Sequence, residues 1–347
     1  QNIQRGDSMV IVDLGSRIYK RELWIYLTIH GYRVDSYNMD CMTESDCFNC
    51  LDGLGAENEE QIVMIANDII DDQKYKFMTY PVETACKALL SAVLLASLTE
   101  MEESDRNMLE IATIFRLGVS GTMLDKILHV MFEELDETSS AKQLFAMYSE
   151  AEEGIRMEAI QKIGNALAVY EKRANGSLCD NFRTNRYDME MPVKEKSVLF
   201  IESGQLPEDK VLFSVFMERL YDSMLKKAEE RQQDVTVMLL DYPYYGGLCG
   251  LEKYMEEGPE KGICTTLYED DRKLDGSGYA PHLVELYSLC DISVCIKDTE
   301  IPLCEIEKCE NPVTGECSKR KDGLCYYPAT RNFCIDRKST RLNSSHR

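Results

Sequence analysis

Met9-Val10-Ile11-Val12-Asp13 is a short apolar run ending in an acid, and its surroundings decide the fold. Leu23 to Tyr32 reads next as a helix, with His30-Gly31 near its end. Tyr32-Arg33-Val34-Asp35-Ser36-Tyr37 then alternates like a second strand. Strand, helix and strand at this spacing make a βαβ unit, so the sheet is expected to be parallel and the fold α/β.

A helical block follows. Glu59 to Ile70 places Ile62, Ile65, Ala66 and Ile69 on one face, and Val82 to Leu98 is apolar on most sides. Ala85 to Ser97 is the most apolar stretch of the chain and reads as a buried helix. From Met108 to Arg173 the apolar residues recur at helical spacing with no strand among them, which reads as an all-helical insertion. The α/β pattern resumes at Ser197-Val198-Leu199-Phe200-Ile201. Asp209 to Lys227 follows as a long helix with Leu212, Phe216, Leu220 and Met224 every four residues. Asp234 to Asp241, Gly262 to Leu267 and Ile292 to Ile296 are further strands. Trp24, the single tryptophan, is expected in the core.

The chain has 347 residues, 44% hydrophobic and 29% charged, which suits a globular protein with a sizeable core. Its formal net charge is −22. The tail from Asp336 to Arg347 resembles the in-frame translation of a sequencing adapter, and removing its net +3 takes the remainder to −25. That balance argues against a broad basic footprint for nucleic acid. Solubility is its plain meaning. Of the 14 cysteines, five fall between Cys304 and Cys334, while scattered thiols such as Cys86 read as reduced core residues.

Asp241 closes an apolar strand in the manner of a Walker B element. A buried strand delivers one carboxylate to the carboxyl edge of a parallel sheet, where it can hold Mg²⁺. A carboxylate capping a turn is the simpler alternative. The residues after it are Tyr242, Pro243, Tyr244 and Tyr245 rather than a second acid. No G-x-x-x-x-G-K-[ST] phosphate cradle occurs in the chain. Cys309, Cys317, Cys325 and Cys334 lie eight or nine residues apart and could hold a structural Zn²⁺, although paired C-x₂-C knuckles are missing and disulfides or free thiols are the simpler reading.

The order of these segments resembles the cytoplasmic NTPase region of TraG-like conjugative coupling proteins of type IV secretion. Ser8 to Asp13 matches a strand of that family. His30-Gly31-Tyr32-Arg33-Val34 resembles its "HGY-x-V" stretch, and Asp46-Cys47-Phe48-Asn49-Cys50-Leu51-Asp52 its "D-x-W-N-P-L-D" stretch. Ala66-Asn67-Asp68-Ile69-Ile70 and Lys87-Ala88-Leu89-Leu90 also fit, and the likeness extends over about 1–300. It implies a RecA-like, P-loop NTPase-type parallel sheet with an inserted all-helical domain. Residues 1–100 and 191–300 would be the two parts of the RecA-like domain, with a phosphate loop upstream of Gln1. Residues 101–190 would be the insertion, 301–335 a Cys-rich tail and 336–347 the artefact.

The resemblance further implies an ATPase using ATP and Mg²⁺, and a homo-hexamer at the cytoplasmic face of the bacterial inner membrane, held there by an upstream membrane anchor. Its partners would be the conjugation machinery and a DNA–relaxase complex. Several functional positions depart from the family. Its "D-P-K-G-E" turn is Asp13-Leu14-Gly15-Ser16-Arg17, its Asp-Glu pair is Asp241-Tyr242, and its nucleotide-sensing Gln falls on Glu269. A glutamate there brings a charge that repels phosphate where an amide would donate to it. The expectation is a degenerate coupling protein with weak or absent hydrolysis. A non-catalytic scaffold that keeps the motor fold and an unrelated α/β metalloenzyme are the alternatives.

Overall fold

The computed structural model describes residues 5–13, 18–39, 41, 45–71, 78–116, 121–173, 180–183, 187–202, 209–240, 250–268, 294–297 and 332–335. They fall into two compact units. The first comprises Gln1–Asp241 with Glu260–Tyr268.

Five strands form its sheet: β1 (Ser8–Asp13), β2 (Arg33–Asn38), β3 (Ser197–Glu202), β4 (Val235–Leu240) and β5 (Ile263–Tyr268). Their order is β2-β3-β1-β4-β5, and every pair is parallel. β1 and β3 are buried at all six positions. Unbroken burial of this kind is what a parallel strand covered on both faces requires, and it explains why these segments read as apolar runs.

β1 is followed by α1 (Ile18–Ile29). Leu23 and Leu27 of α1 pack on Met9, Ile11, Val198 and Phe200, so α1 covers one face of the sheet. Gly31 ends the helix with φ 77°, and the Tyr32 amide donates back to the Leu27 carbonyl at 3.1 Å. A side chain at Gly31 would be strained in that left-handed conformation. Trp24 departs from the expectation of a core position: it is 37% exposed. Leu23 and Leu27 already occupy the inward stripe, which turns Trp24, Ile25 and Ile29 away from the sheet.

Helices α2 (Glu59–Asp71), α3 (Tyr80–Glu100), α4 (Met108–Arg116), α5 (Gly121–Glu133), α6 (Ser140–Ser149), α7 (Glu153–Arg173), α8 (Asp180–Arg183) and α9 (Met191–Lys194) all lie between β2 and β3. α3 is long and apolar enough to cross a membrane by length and composition, but 72% of its apolar window is buried inside the fold. It packs against α2, α6 and α7. Its Leu89, Leu90 and Leu94 are fully buried, each contributing about 1.5–3 kcal/mol by area. α3 is thus the core of the helical block.

α10 (Asp209–Lys227) covers the opposite face of the sheet. Its Phe216 stacks on Tyr37 of β2 with ring centroids 4.0 Å apart, and its Tyr221 hydroxyl lies 2.8 Å from Thr265 Oγ1 of β5. α10 also faces the helical block, where Arg173 of α7 bridges to Asp209 at 2.6 Å and Gln61 of α2 donates to Asp222 at 2.9 Å.

The described elements of the second unit, Tyr242–Pro259 with Glu269–Arg347, are α11 (Leu251–Glu257) and an antiparallel pair, β6 (Val294–Lys297) and β7 (Asn332–Ile335).

Candidate functional site

The connection from β1 runs through α1 on one face toward β2, and the connection from β3 runs through α10 on the other face toward β4. Neighbouring strands whose connections leave to opposite faces create a crevice at their carboxyl ends, and that is where open α/β sheets bind ligands. Here it falls between β1 and β3.

The register places Asn38, Glu202, Asp13, Leu240 and Tyr268 in one row along the carboxyl edge. Paired residues of parallel strands point to the same face. Asp13 and Glu202 therefore stand side by side on the α1 face at the crevice, 2% and 3% exposed. Two buried acids in that position need compensation.

Lys20, in the first turn of α1, supplies it for Glu202. Its Nζ lies 2.8 Å from Glu202 Oε2 and donates to Ser36 Oγ at 2.9 Å. Ser36 Oγ and Asn38 Nδ2 each donate to the same Glu202 oxygen at 3.3 Å. Asn38 Oδ1 accepts from the Cys41 amide at 2.9 Å. The free edge of β2 is closed by residues 45 and 46: the Asp46 amide donates to the Ser36 carbonyl, and Ser45 Oγ accepts from the Asn38 amide. The result is a polar cluster joining β2, β3 and α1.

Magnesium, implied by the family resemblance, does not fit on Glu202. Mg²⁺ demands an octahedron of oxygen ligands with its own waters. Glu202 Oε2 already accepts from an ammonium, a hydroxyl and an amide. A metal on that oxygen would have to displace donors that already fill it, the lysine foremost.

Of the residues singled out in the sequence, Asp13 is at this edge, in register with Glu202. Asp241, Tyr242 and Glu269 lie outside the described residues, as do Cys309, Cys317 and Cys325. Cys334 is in β7, where its register partner is Cys295. Among the described residues no group of three or more His, Cys, Asp or Glu could hold a metal ion. Burial pushes the Cys50 and Cys86 thiols up to about 12, which leaves both inert at neutral pH.

Glu202 and Lys20 are the residues of this edge that sequence reasoning missed. The signal for Glu202 was present: Val198 to Ile201 is an apolar strand ending in an acid, the same pattern that drew attention to Asp241. Lys20 had no local signal, because its partner is 182 residues away.

No protein-family model matches the sequence, and no curated protein matches it. Solved structures do. The bacterial conjugative coupling protein TrwBdeltaN70 in its unbound monoclinic form matches with a TM-score of 0.50 at 12% identity, over 85% of this chain and 69% of that one. Its trigonal form in complex with sulphate matches with a TM-score of 0.55 at 14% identity, over 84% of this chain and 63% of that one. The plasmid coupling protein TrwB in complex with ADP and Mg²⁺ matches with a TM-score of 0.51 at 12% identity, over 85% of this chain and 71% of that one. The chain thus has the α/β, P-loop NTPase-like fold of these coupling proteins, carrying the same kind of sheet at far lower sequence similarity than function transfers across.

Proposed function

We propose that this chain is a coupling-protein-like component of conjugative DNA transfer by type IV secretion, with ATP hydrolysis weak or absent. The observation that carries the reading is the carboxyl edge of a coupling-protein-type sheet in which one of the two crevice acids, Glu202, is held by Lys20. The likeness to TrwB, which has been crystallised with ADP and Mg²⁺, supports a nucleotide at the same edge. Tyr242 after Asp241, and Glu269 after β5, support the loss of turnover: a phenol cannot orient an attacking water as an acid does, and a carboxylate repels phosphate.

In this reading the helical block between β2 and β3 recruits substrate or partner proteins, with a DNA–relaxase complex as the cargo. The protein works at the cytoplasmic face of the inner membrane, in a homo-hexamer or beside a catalytic coupling protein. The net charge of −22 fits contact with protein better than a broad grip on DNA.

ATP turnover by the full-length protein tests the reading, alongside plasmid transfer from cells lacking its gene. Turnover at background, with transfer reduced by the deletion and restored by the Asp241→Ala variant, is the expected result. Hydrolysis that Asp241→Ala abolishes would overturn it.

A further inference from the structure

We propose that the Lys20 ammonium stands permanently in the place of a divalent cation at the crevice between β1 and β3, so that this edge is charge-compensated from within the chain and takes no metal at Glu202. The inference rests on geometry alone and holds whether or not the chain binds nucleotide.

Two acids buried on adjacent strands at the carboxyl edge form the arrangement that ordinarily draws a hard cation with oxygen ligands. Asp13 and Glu202 are that pair. The cation present is the Lys20 ammonium, 2.8 Å from Glu202 Oε2 with its side chain 18% exposed. An ammonium offers three donors to satisfy. Glu202 Oε2 and Ser36 Oγ take two of them at 2.8 and 2.9 Å. Both acceptors sit on rigid strands, and Lys20 reaches them from the first turn of the helix that follows β1. The lysine is therefore placed by the same connection that creates the crevice. Arginine would not substitute, because its planar fork does not match a point-charge position between a carboxylate and a hydroxyl.

Removing the ammonium leaves a buried carboxylate with two neutral donors and no cation. The full chain is tested with Mn²⁺ as the probe, read by the loss of its free electron-paramagnetic signal, together with thermal melts in Mg²⁺. Wild type and Glu202→Gln are expected to bind Mn²⁺ equally, and Mg²⁺ is expected to leave the wild-type melting temperature unchanged. Lys20→Met is expected to bind Mn²⁺ about tenfold more tightly than wild type, on the scale by which groups around a metal site set its affinity. Lys20→Met/Glu202→Gln, which removes both charges and so keeps the fold, is expected to lose that gain. Wild-type Mn²⁺ binding that Glu202→Gln weakens tenfold overturns the proposal, and this comparison decides even if Lys20→Met does not fold. A folded Lys20→Met variant that binds no more Mn²⁺ than wild type overturns it too.

Discussion

Asp68 of α2 and Glu218 of α10 face each other across the seam between the helical block and the sheet-covering helix, joined by a carboxyl–carboxyl hydrogen bond. Both residues are buried, and such a bond requires one of the two to keep its proton. Burial is the main reason that Glu218 holds on to it. The hydrogen bond to Asp68 and the nearby charges of Asp68 and Asp222 add to the effect, and Arg219 opposes it.

This pair makes stability fall as pH rises. The folded state binds the Glu218 proton more tightly than the unfolded chain does. Its contribution is complete below the ordinary carboxyl range and is lost as pH climbs toward the raised folded value. Glu218→Gln keeps the hydrogen bond without the proton. At pH 8 it is expected to stabilise the protein by about 2 kcal/mol, and the gain is expected to vanish near pH 4. Urea melts at the two pH values check this; an equal effect at both would show that Glu218 is ionised in the fold.

The Arg173–Asp209 bridge is another tie between the helical block and α10. Asp209 is 1% exposed and begins α10, where the helix dipole also favours an acid. Arg173→Met takes the cation from that buried carboxylate and is expected to cost about 3 kcal/mol. Arg173→Met/Asp209→Asn is expected to recover most of the loss. Equal destabilisation of the single and double variants in a denaturant melt would contradict the bridge as the source.

Within the helical block, Tyr148 donates to Asp125 Oδ1 at 2.7 Å, and Arg156 holds the same carboxylate at 3.2 Å. Tyr148→Phe removes one donor from a buried acid and is expected to cost about 1–3 kcal/mol. The loss is measurable by thermal unfolding, with the sheet core unchanged by circular dichroism.

Trp24 reports on the proposed cation position. It is the single tryptophan, 37% exposed, and the Lys20 ammonium lies 5.8 Å from its ring centroid. Its emission is expected at long wavelength and to be quenched by acrylamide. Lys20→Met is expected to shift the emission, because the cation over the ring is lost.

Gly31→Ala forces a β-carbon into a backbone with φ 77°, with nothing within 4 Å to clash with it. The cost is therefore conformational, about 1 kcal/mol, and a lower melting temperature with unchanged structure is the expected outcome.

Much of this architecture was legible in the sequence because it follows from local periodicity. The helix over 209–227 and the strand at 197–201 stand out as repeating or continuous apolar patterns, and the structure places elements there. The face of α1 was misjudged, since an amphipathic helix with Ile25, Ile29 and Trp24 on its outer side offers two apolar stripes and sequence alone does not rank them. The compensated edge was not legible. Lys20, Ser36, Asn38 and Glu202 meet only because β3 is inserted between β1 and β2, and strand order is not written in any local pattern. Asp68 and Glu218 are hidden for the same reason, each reading as an ordinary polar helix position.

That strand order has a consequence for how the chain is made. β1 pairs only with β3 and β4, and the backbone ladder of β2 in the sheet is with β3. Nothing among the first 196 residues can give either strand its parallel neighbour. At a synthesis rate of about 5–20 residues per second, β1 waits roughly 10–40 s on the ribosome before Glu202 is in place. The helices from α2 to α8 can fold in that interval, because most of their contacts are with one another. The sheet therefore forms after the helical block. Its fully buried central strand is the first of the five to be made and stands open longest, so the helical block finishes in the company of a strand that other nascent chains could pair with.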